Sequence, residues 1–534
     1  MAFIIARGGA YNMELWPDDS MPPELLYRAW KALSGAFFSG LVFKPLSDEQ
    51  LEASLAAGGV SVSTEPLRPF SAEYQMISPG RAMGKLRMLP APYPGSRAYP
   101  SGSVAVLDQP PDSLLGLTAF ALGEADSALS HVCILAGSLR VPAFYLKGAV
   151  EKLAFLDGEF VEVRVERSTF SVTPAPEAAV AEYLAGRTAA LKKYYPEADI
   201  FERGLRPLHA LGRGDSRSYG SKAANLGRVA SSGIKGLRVP AGFAVPFSWY
   251  GEFMRENGLA AEAASAASGK AGPEELAALR AKIKAGRTGK RFASEVRTAL
   301  RDSGFEKKGV FVRSSTNSED LPNFTGAGLY TTVPNVKGAE DILVAIKTVW
   351  ASLWNDRAYE AREVFGIDHL SVMPAVLVQE GVDSDASGVM ITKGGSGCGM
   401  ERCVEISAKR GLGVRVVEGK ASPEMFRYYP ASGKIFLSGL SKDPVAVKFD
   451  SGGGVKNTDS GPGHGVLDKK AAVELSLLGL EIEKKFGGEA QDIEWLVKDG
   501  PLWNRRAGPS ASGRRRGSSR APAAPATRRW AVLC

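Results

Sequence analysis

Between Gly309 and Pro322 the chain passes from an apolar run, Gly309-Val310-Phe311-Val312, into Arg313-Ser314-Ser315-Thr316-Asn317-Ser318-Glu319-Asp320-Leu321-Pro322. A short apolar run bounded by turn residues reads as a strand, and this one delivers an arginine at its end. A planar guanidinium in that place can clamp phosphoryl oxygens and stabilise charge at a transferring phosphorus. Two distant segments extend the pattern. Gly220-Ser221-Lys222-Ala223-Ala224-Asn225-Leu226-Gly227 sets a small-residue loop and a lysine before a helix. There, backbone N–H groups and one ammonium can face phosphates. Asp492-Ile493-Glu494-Trp495 is an extended segment in which the two carboxylates alternate onto one side. Paired hard oxygens of that kind hold Mg²⁺ against ATP phosphates. Each segment alone has a bland counterpart: a solvated lysine, a surface ion pair, a solvated strand face. Together they outline an ATP site.

The chain has 534 residues, room for three to four domains by the usual ~150 residues each. Its 44% hydrophobic and 23% charged content is that of an ordinary globular protein. It has no run of about 18 apolar residues to cross a membrane. The opening Met1-Ala2-Phe3-Ile4-Ile5-Ala6-Arg7 lacks the pattern of a secretory signal, so a cytoplasmic location is expected. Cys133, Cys398, Cys403 and Cys534 form no framework spacing and no CxxC pair, which suits a reducing compartment and speaks against a structural zinc.

The net charge of +8 comes from one place. Eight of the 66 basic residues are arginines within 504–534, a stretch without Lys, Asp or Glu. The remaining basic residues are balanced by the 58 acidic ones, so residues 1–503 give no electrostatic reason to bind nucleic acid.

The pattern along the chain suggests five regions. Residues 1–75 hold one helix, Pro23 to Leu33, and no assignable chemistry. Over 76–174, strands at Ser103–Leu107, Ala143–Leu146 and Phe160–Val165 alternate with helical signals, as in a compact α/β unit. After Thr173-Pro174-Ala175-Pro176 a connecting helix, Glu177 to Tyr194, lies in a linker spanning 175–210. A large unit follows over 211–503. It contains the helical stretch Leu259 to Lys284, broken at Gly272-Pro273, the apolar strands Ala375–Gln379 and Gly388–Ile391, and a helix from Ala471 to Phe486. Residues 504–534 show neither strand nor helix period and are expected to be disordered.

Of four histidines, His131 stands in the most informative context. It follows Leu129-Ser130 and opens the apolar Val132-Cys133-Ile134-Leu135-Ala136. A neutral imidazole there is a competent nucleophile, and its phosphorylated form would gain from helix N-terminal N–H groups. An ATP site and a phosphoryl-carrying histidine in one chain suggest transfer in two steps, with the histidine as relay.

In order, these segments resemble the nucleotide-binding domain shared by pyruvate phosphate dikinase, phosphoenolpyruvate synthase and the plant glucan water dikinases. The likeness runs from about Gly220 to Trp503. It takes in Val239-Pro240-Ala241-Gly242-Phe243, Gly326-Ala327-Gly328-Leu329-Tyr330, Trp354-Asn355-Asp356-Arg357-Ala358, Val378-Gln379-Glu380 and Gly411-Leu412-Gly413. The resemblance implies an ATP-grasp fold. It assigns Lys222 and Arg313 to the phosphates, the Gln379-Glu380 hinge to adenine, and Asp492 and Glu494 to Mg²⁺. The stretch from Leu129 to Ala136, followed by Val141-Pro142-Ala143, resembles the swivelling phosphohistidine domain of the same families, with Gly137 where they carry arginine. The expected fold is therefore α/β and multi-domain: a swivelling phosphohistidine unit, then an ATP-grasp unit. That order resembles the glucan dikinases, and no barrel of ~250 residues fits in the chain. The implied activity is that of a dikinase. It binds Mg·ATP, moves the β-phosphoryl group to His131 and on to an unknown acceptor, and releases AMP and phosphate.

The families close this domain with Gly-x-Leu, a short strand and Gln-x-Arg-Pro. Here Gly500-Pro501-Leu502-Trp503 begins correctly, but Arg506 stands in place of the glutamine and Gly508 in place of the arginine. Val414 replaces a glutamate after Gly-Leu-Gly. We hypothesise a shifted reading frame, because Arg506 to Ala511 can be encoded by bases that spell Val-Gln-Ala-Arg-Pro one position later. Sequencing the DNA tests this: codons that lack Gln-x-Arg-Pro in the neighbouring frame refute it. The alternatives are a natural basic tail, and a nucleotide-binding regulatory or inactive remnant with an impaired ATP site.

Overall fold

The computed structural model describes residues 2–7, 10–15, 21–36, 40–45, 48–63, 73–89, 99–108, 114, 116–123, 136–137, 140–166, 169–189, 193–268, 271–321, 324–325, 329–393, 402–413, 423–439, 443–461, 465–498 and 529–532. His131, Val414, Arg506 and Gly508 lie outside these residues.

The first 60 residues form a small unit with its own core. Strand Ala2–Arg7 pairs antiparallel with Ala10–Leu15, which pairs parallel with Leu41–Phe43. Met13, Leu15, Leu26, Leu41 and Phe43 are its buried centre. Helix Pro23–Ser34 starts on a proline, whose missing N–H costs nothing in a first turn, and carries Glu24 and Lys31 at the ends the helix dipole favours. The sequence reading found this helix but neither the sheet nor a second helix, Asp48–Ala57.

The second unit is a seven-stranded sheet. Its order is Phe170–Pro174, Phe160–Val165, Gly80–Met88, Ser103–Leu107, Leu117–Leu122, Ala143–Leu146 and Tyr74–Ser78. The central strands Ser103–Leu107, Leu117–Leu122 and Ala143–Leu146 run parallel and are buried along their whole length, as continuous apolar runs require. His131 falls in the connection between the last two. Helix Glu177–Ala189 belongs to this unit rather than to a free linker. Its Val180 is buried, Tyr183 packs on the core, and Leu184 lies against Gly102, where an added Cβ would sit 2.8 Å from Leu184 Cδ1. The expected linker over 175–210 is corrected accordingly. Residues 193–205 run along the third unit.

The third unit is built on two sheets. One has the order Arg206–Pro207, Gly242–Val245, Pro374–Glu380, Val310–Thr316, Val333–Val336. The other has the order Leu237–Arg238, Arg529–Val532, Asp492–Lys498, Ala386–Ile391, Val404–Arg410, Glu424–Tyr429, Lys434–Gly439. One face of the first sheet packs on a helical layer around Trp249, Phe253, Trp350 and Trp354. A second core joins the sheets: Leu226 of helix Ser216–Ala230 and Leu377 of the first sheet meet Met390, Ile406, Ile493 and Trp495 of the second. The α/β multi-domain class expected from the sequence is the class observed.

Two expectations are corrected. The segment 504–534 is not without regular structure, because Arg529–Val532 is a strand antiparallel to Asp492–Lys498, with Trp495 opposite Val532 and Lys498 opposite Arg529. Trp530-Ala531-Val532 is β-favouring, and the backbone groups along Asp492–Lys498 need partners. Cys403, buried beside Tyr429 and Phe436, is disulfide-bonded, which the cysteine spacing did not indicate. Among the described residues no helix is long and apolar enough to cross a membrane.

Candidate nucleotide site

Helix Ser216–Ala230 is broken by one residue. Gly220 has φ 78° and ψ 164°, inside an otherwise helical run. A side chain there is excluded, because a Cβ would lie 2.0 Å from the Ser315 carbonyl oxygen. The Ser315 hydroxyl bridges the break: it donates to Tyr219 O at 2.7 Å and accepts from Ala223 N at 3.0 Å. Ser221 and Lys222 therefore open a fresh helical turn pressed against strand Val310–Thr316. That places a lysine where backbone N–H groups lack intrahelical partners.

Arg313 lies within this strand and not at its end, since pairing with Pro374–Glu380 continues to Thr316. It is 7% exposed, and its Nη2 donates to Glu494 Oε2 at 2.7 Å. Glu494 stands on Asp492–Lys498, where Ile493, Trp495 and Val497 fill the core and Asp492 and Glu494 take the other face. The ion pair therefore spans the two sheets. Asp492 is exposed, and both acids sit opposite apolar residues of strand Ala386–Ile391: Ile391 and Val389.

Gln379 lies on the strand next to Arg313, opposite Phe311, two positions beyond Leu377, which is opposite Arg313. It is 1% exposed. Its Nε2 donates to Pro240 O at 3.2 Å, and its Oε1 has no partner among the described residues. Glu380 N donates to Ala241 O at 2.8 Å, and the Glu380 carboxylate accepts from Lys308 Nζ at 2.5 Å. The Val239-Pro240-Ala241-Gly242 segment thus braces the hinge from behind.

One residue here was missed by the sequence reading. Glu319 is 9% exposed and lies 3.7 Å from Lys222 Nζ through Oε2. Its Oε1 accepts from Thr316 N and Ser314 Oγ, both at 3.3 Å. The available signal was the Thr316-x-x-Glu319 spacing, in which a carboxylate reaches back to a backbone N–H three residues earlier.

The structure thus pairs Lys222 with Glu319 and Arg313 with Glu494, with Asp492 on the face of Glu494 and Gln379 on the strand beside Arg313. Lys222 and Arg313 are each paired with a carboxylate. Asp492 and Glu494 suit Mg²⁺, which takes one or two carboxylates and completes its shell with water and phosphate oxygens. Among the described residues no cluster of three or more His, Cys, Asp or Glu residues could cage a metal alone.

The chain is 32% identical over 311 residues to a probable phosphoenolpyruvate synthase of Methanothermobacter thermautotrophicus, covering 56% of this chain and 45% of that protein. It is 34% identical over 289 residues to a rifampicin phosphotransferase of a Streptomyces species, covering 52% and 33%. It is 32% identical over 329 residues to the phosphoenolpyruvate synthase of Neisseria meningitidis serogroup B, covering 55% and 40%. The chain therefore spans less than half the length of each of these relatives. Residues 216–516, more than half of the chain, match the model of the pyruvate phosphate dikinase AMP/ATP-binding domain, and the chain belongs to that family.

Proposed function

We propose that this chain is an ATP-dependent phosphotransferase of the dikinase type. Lys222 and Arg313 hold the phosphates, Gln379 and Glu380 face adenine, and Asp492 and Glu494 hold Mg²⁺. The bound ion would neutralise phosphate charge during transfer. The buried Gln379 Oε1 is an acceptor suited to an amino N–H of adenine.

A nitrogen of His131 attacks the β-phosphorus, the bond from that phosphorus to the α-bridging oxygen breaks, and AMP leaves. Water then removes the γ-phosphoryl group as phosphate, and His131 passes the remaining group to an acceptor. The acceptor is a glucan, a small metabolite or a protein; the names of the relatives support a small molecule. The observation that supports this reading is the Arg313–Glu494 contact across the two sheets, together with the Lys222–Glu319 pair.

The test is labelling with [β-³²P]ATP and Mg²⁺ of the chain as given, of His131→Ala, and of a version whose end is restored to Gln-x-Arg-Pro. Acid-labile, base-stable label that vanishes in His131→Ala is the expected result. Label on the restored version alone means the altered end disables the site. ATP binding without label on either favours a second reading, a nucleotide-binding regulatory protein. That reading draws on Arg506 and Gly508, which replace two phosphate-contacting residues of the family pattern.

A further inference from the structure

Residues 193–205 cross the third unit as a strap, fastened at its far end by Ser248 and Trp249 to the carbonyls of Glu202 and Arg203 and by Tyr219 to that of Gly204. Tyr194 N donates to Gly366 O at 2.8 Å, Asp368 N donates to Tyr194 O at 2.9 Å, and Lys193 Nζ lies 3.4 Å from Asp368 Oδ1. The next two anchors fall on the segments that carry the phosphate-site cations. Asn317, four residues after Arg313, donates from Nδ2 to Glu197 O at 3.1 Å and to Ser371 O at 2.9 Å. Its Oδ1 accepts from Met373 N at 2.9 Å. One amide thus joins the strap, the turn after the arginine strand, and the residues that lead into Pro374–Glu380. Ser218, four residues before Lys222, donates from Oγ to Asp199 Oδ2 at 3.1 Å, while Asp199 N donates to Arg217 O at 2.6 Å. The Phe201 N–H holds the Asp199 carboxyl below the usual carboxylate range, so it stays ionised as an acceptor.

A passive tether needs none of this. A segment anchored at Tyr194, Glu197 and Asp199 within seven residues has little slack to lengthen. We propose that Asn317 is a positioning residue for phosphoryl transfer: it clips the strap leading from the histidine-bearing unit to the phosphate site, so that the pose of one is coupled to occupancy of the other. This rests on the dikinase reading. Asn317 touches no reacting atom in it; its effect passes through Glu197 and the strap.

The test uses the full chain as wild type, Asn317→Asp and Ser218→Ala. Aspartate keeps the acceptor for Met373 N and loses both Nδ2 donations, so the turn keeps that bond while the strap loses its middle anchor. Three quantities are measured: Kd for Mg·ATP, the single-turnover rate of histidine labelling from [β-³²P]ATP, and amide hydrogen exchange over 193–199. In Asn317→Asp the Kd stays within about threefold, labelling slows at least about tenfold, and strap exchange quickens at least about tenfold. Ser218→Ala moves labelling and exchange the same way by less. Labelling that falls only in step with lost ATP binding, or strap exchange that does not change, overturns the proposal. If neither the wild type nor the version restored to Gln-x-Arg-Pro takes label, the dikinase reading fails and the exchange arm still decides. Mg·ATP should slow exchange over 193–199 in the wild type and not in Asn317→Asp, and equal behaviour of the two sinks the coupling.

Discussion

Arg313 and Glu494 are 181 residues apart in sequence, yet the guanidinium of one donates to the carboxylate of the other at 2.7 Å, from one sheet to the other. The arginine is almost fully buried and the glutamate is about one quarter exposed. The contact ties the two sheets at the proposed phosphate site, where the planar fork of a guanidinium matters beyond its charge.

Arg313→Lys therefore keeps the charge and loses the fork. Histidine labelling falls about 100-fold, while Mg·ATP affinity changes by less than about fivefold. Single-turnover labelling alongside calorimetric titration separates the two effects. An equal loss in both would mean that the arginine serves binding alone.

Glu319→Gln removes the carboxylate beside Lys222 but leaves an amide oxygen for the Thr316 N–H. The turn persists and Lys222 loses its guide. We expect kcat to drop about tenfold and KM for ATP to move by less than threefold. A change confined to KM would make Glu319 a competitor of the phosphates instead of a guide.

Gly220→Ala forces a Cβ against the Ser315 carbonyl at a left-handed φ. Destabilisation of more than about 2 kcal/mol, with loss of ATP binding, is expected from urea denaturation and titration. Gly251→Ala, at a helical glycine with open space around its Cβ position, is the control and should cost nothing measurable.

His369 supplies a pH dependence unrelated to catalysis. It is buried, stacks on Tyr359 with ring centroids 4.1 Å apart, accepts from Arg362 Nε at Nδ1, and pairs with Glu363 through Nε2. Burial, and then the Arg362 charge, push its pKa down from 6.5 to about 4. Between these values the unfolded chain binds a proton that the folded chain refuses. Its contribution is full above pH 6.5 and is lost as pH falls toward 4, by about 3 kcal/mol. Urea denaturation at several pH values, compared with His369→Gln, isolates this slope from ordinary carboxylate titration. Parallel profiles would contradict it.

Much of the third unit was legible. Two expected strands, Ala375–Gln379 and Gly388–Ile391, appear as Pro374–Glu380 and Ala386–Ile391. The helical stretch broken at Gly272-Pro273 appears as Ala260–Ala266 and Pro273–Ala285. These are long apolar or strongly periodic segments with clear stops. The kink at Gly220, the role of Glu319 and the mid-strand place of Arg313 were not legible. Each depends on a partner far along the chain: Ser315, Lys222 and Leu377. The strap was read as part of a linker because its anchors, such as Asp368, Ser218 and Asn317, lie far along the chain and leave no mark in local composition.

The strand Arg529–Val532 lies between Leu237–Arg238 and Asp492–Lys498. Its absence would leave the acidic strand as an open sheet edge, with a row of unused N–H and C=O groups available to any extended segment, including one from another molecule. Four residues of a tail that lacks any acidic side chain thus stand between the strand of Asp492 and Glu494 and intermolecular β-pairing. Whatever they contribute to chemistry, they also bear on whether this protein stays in solution.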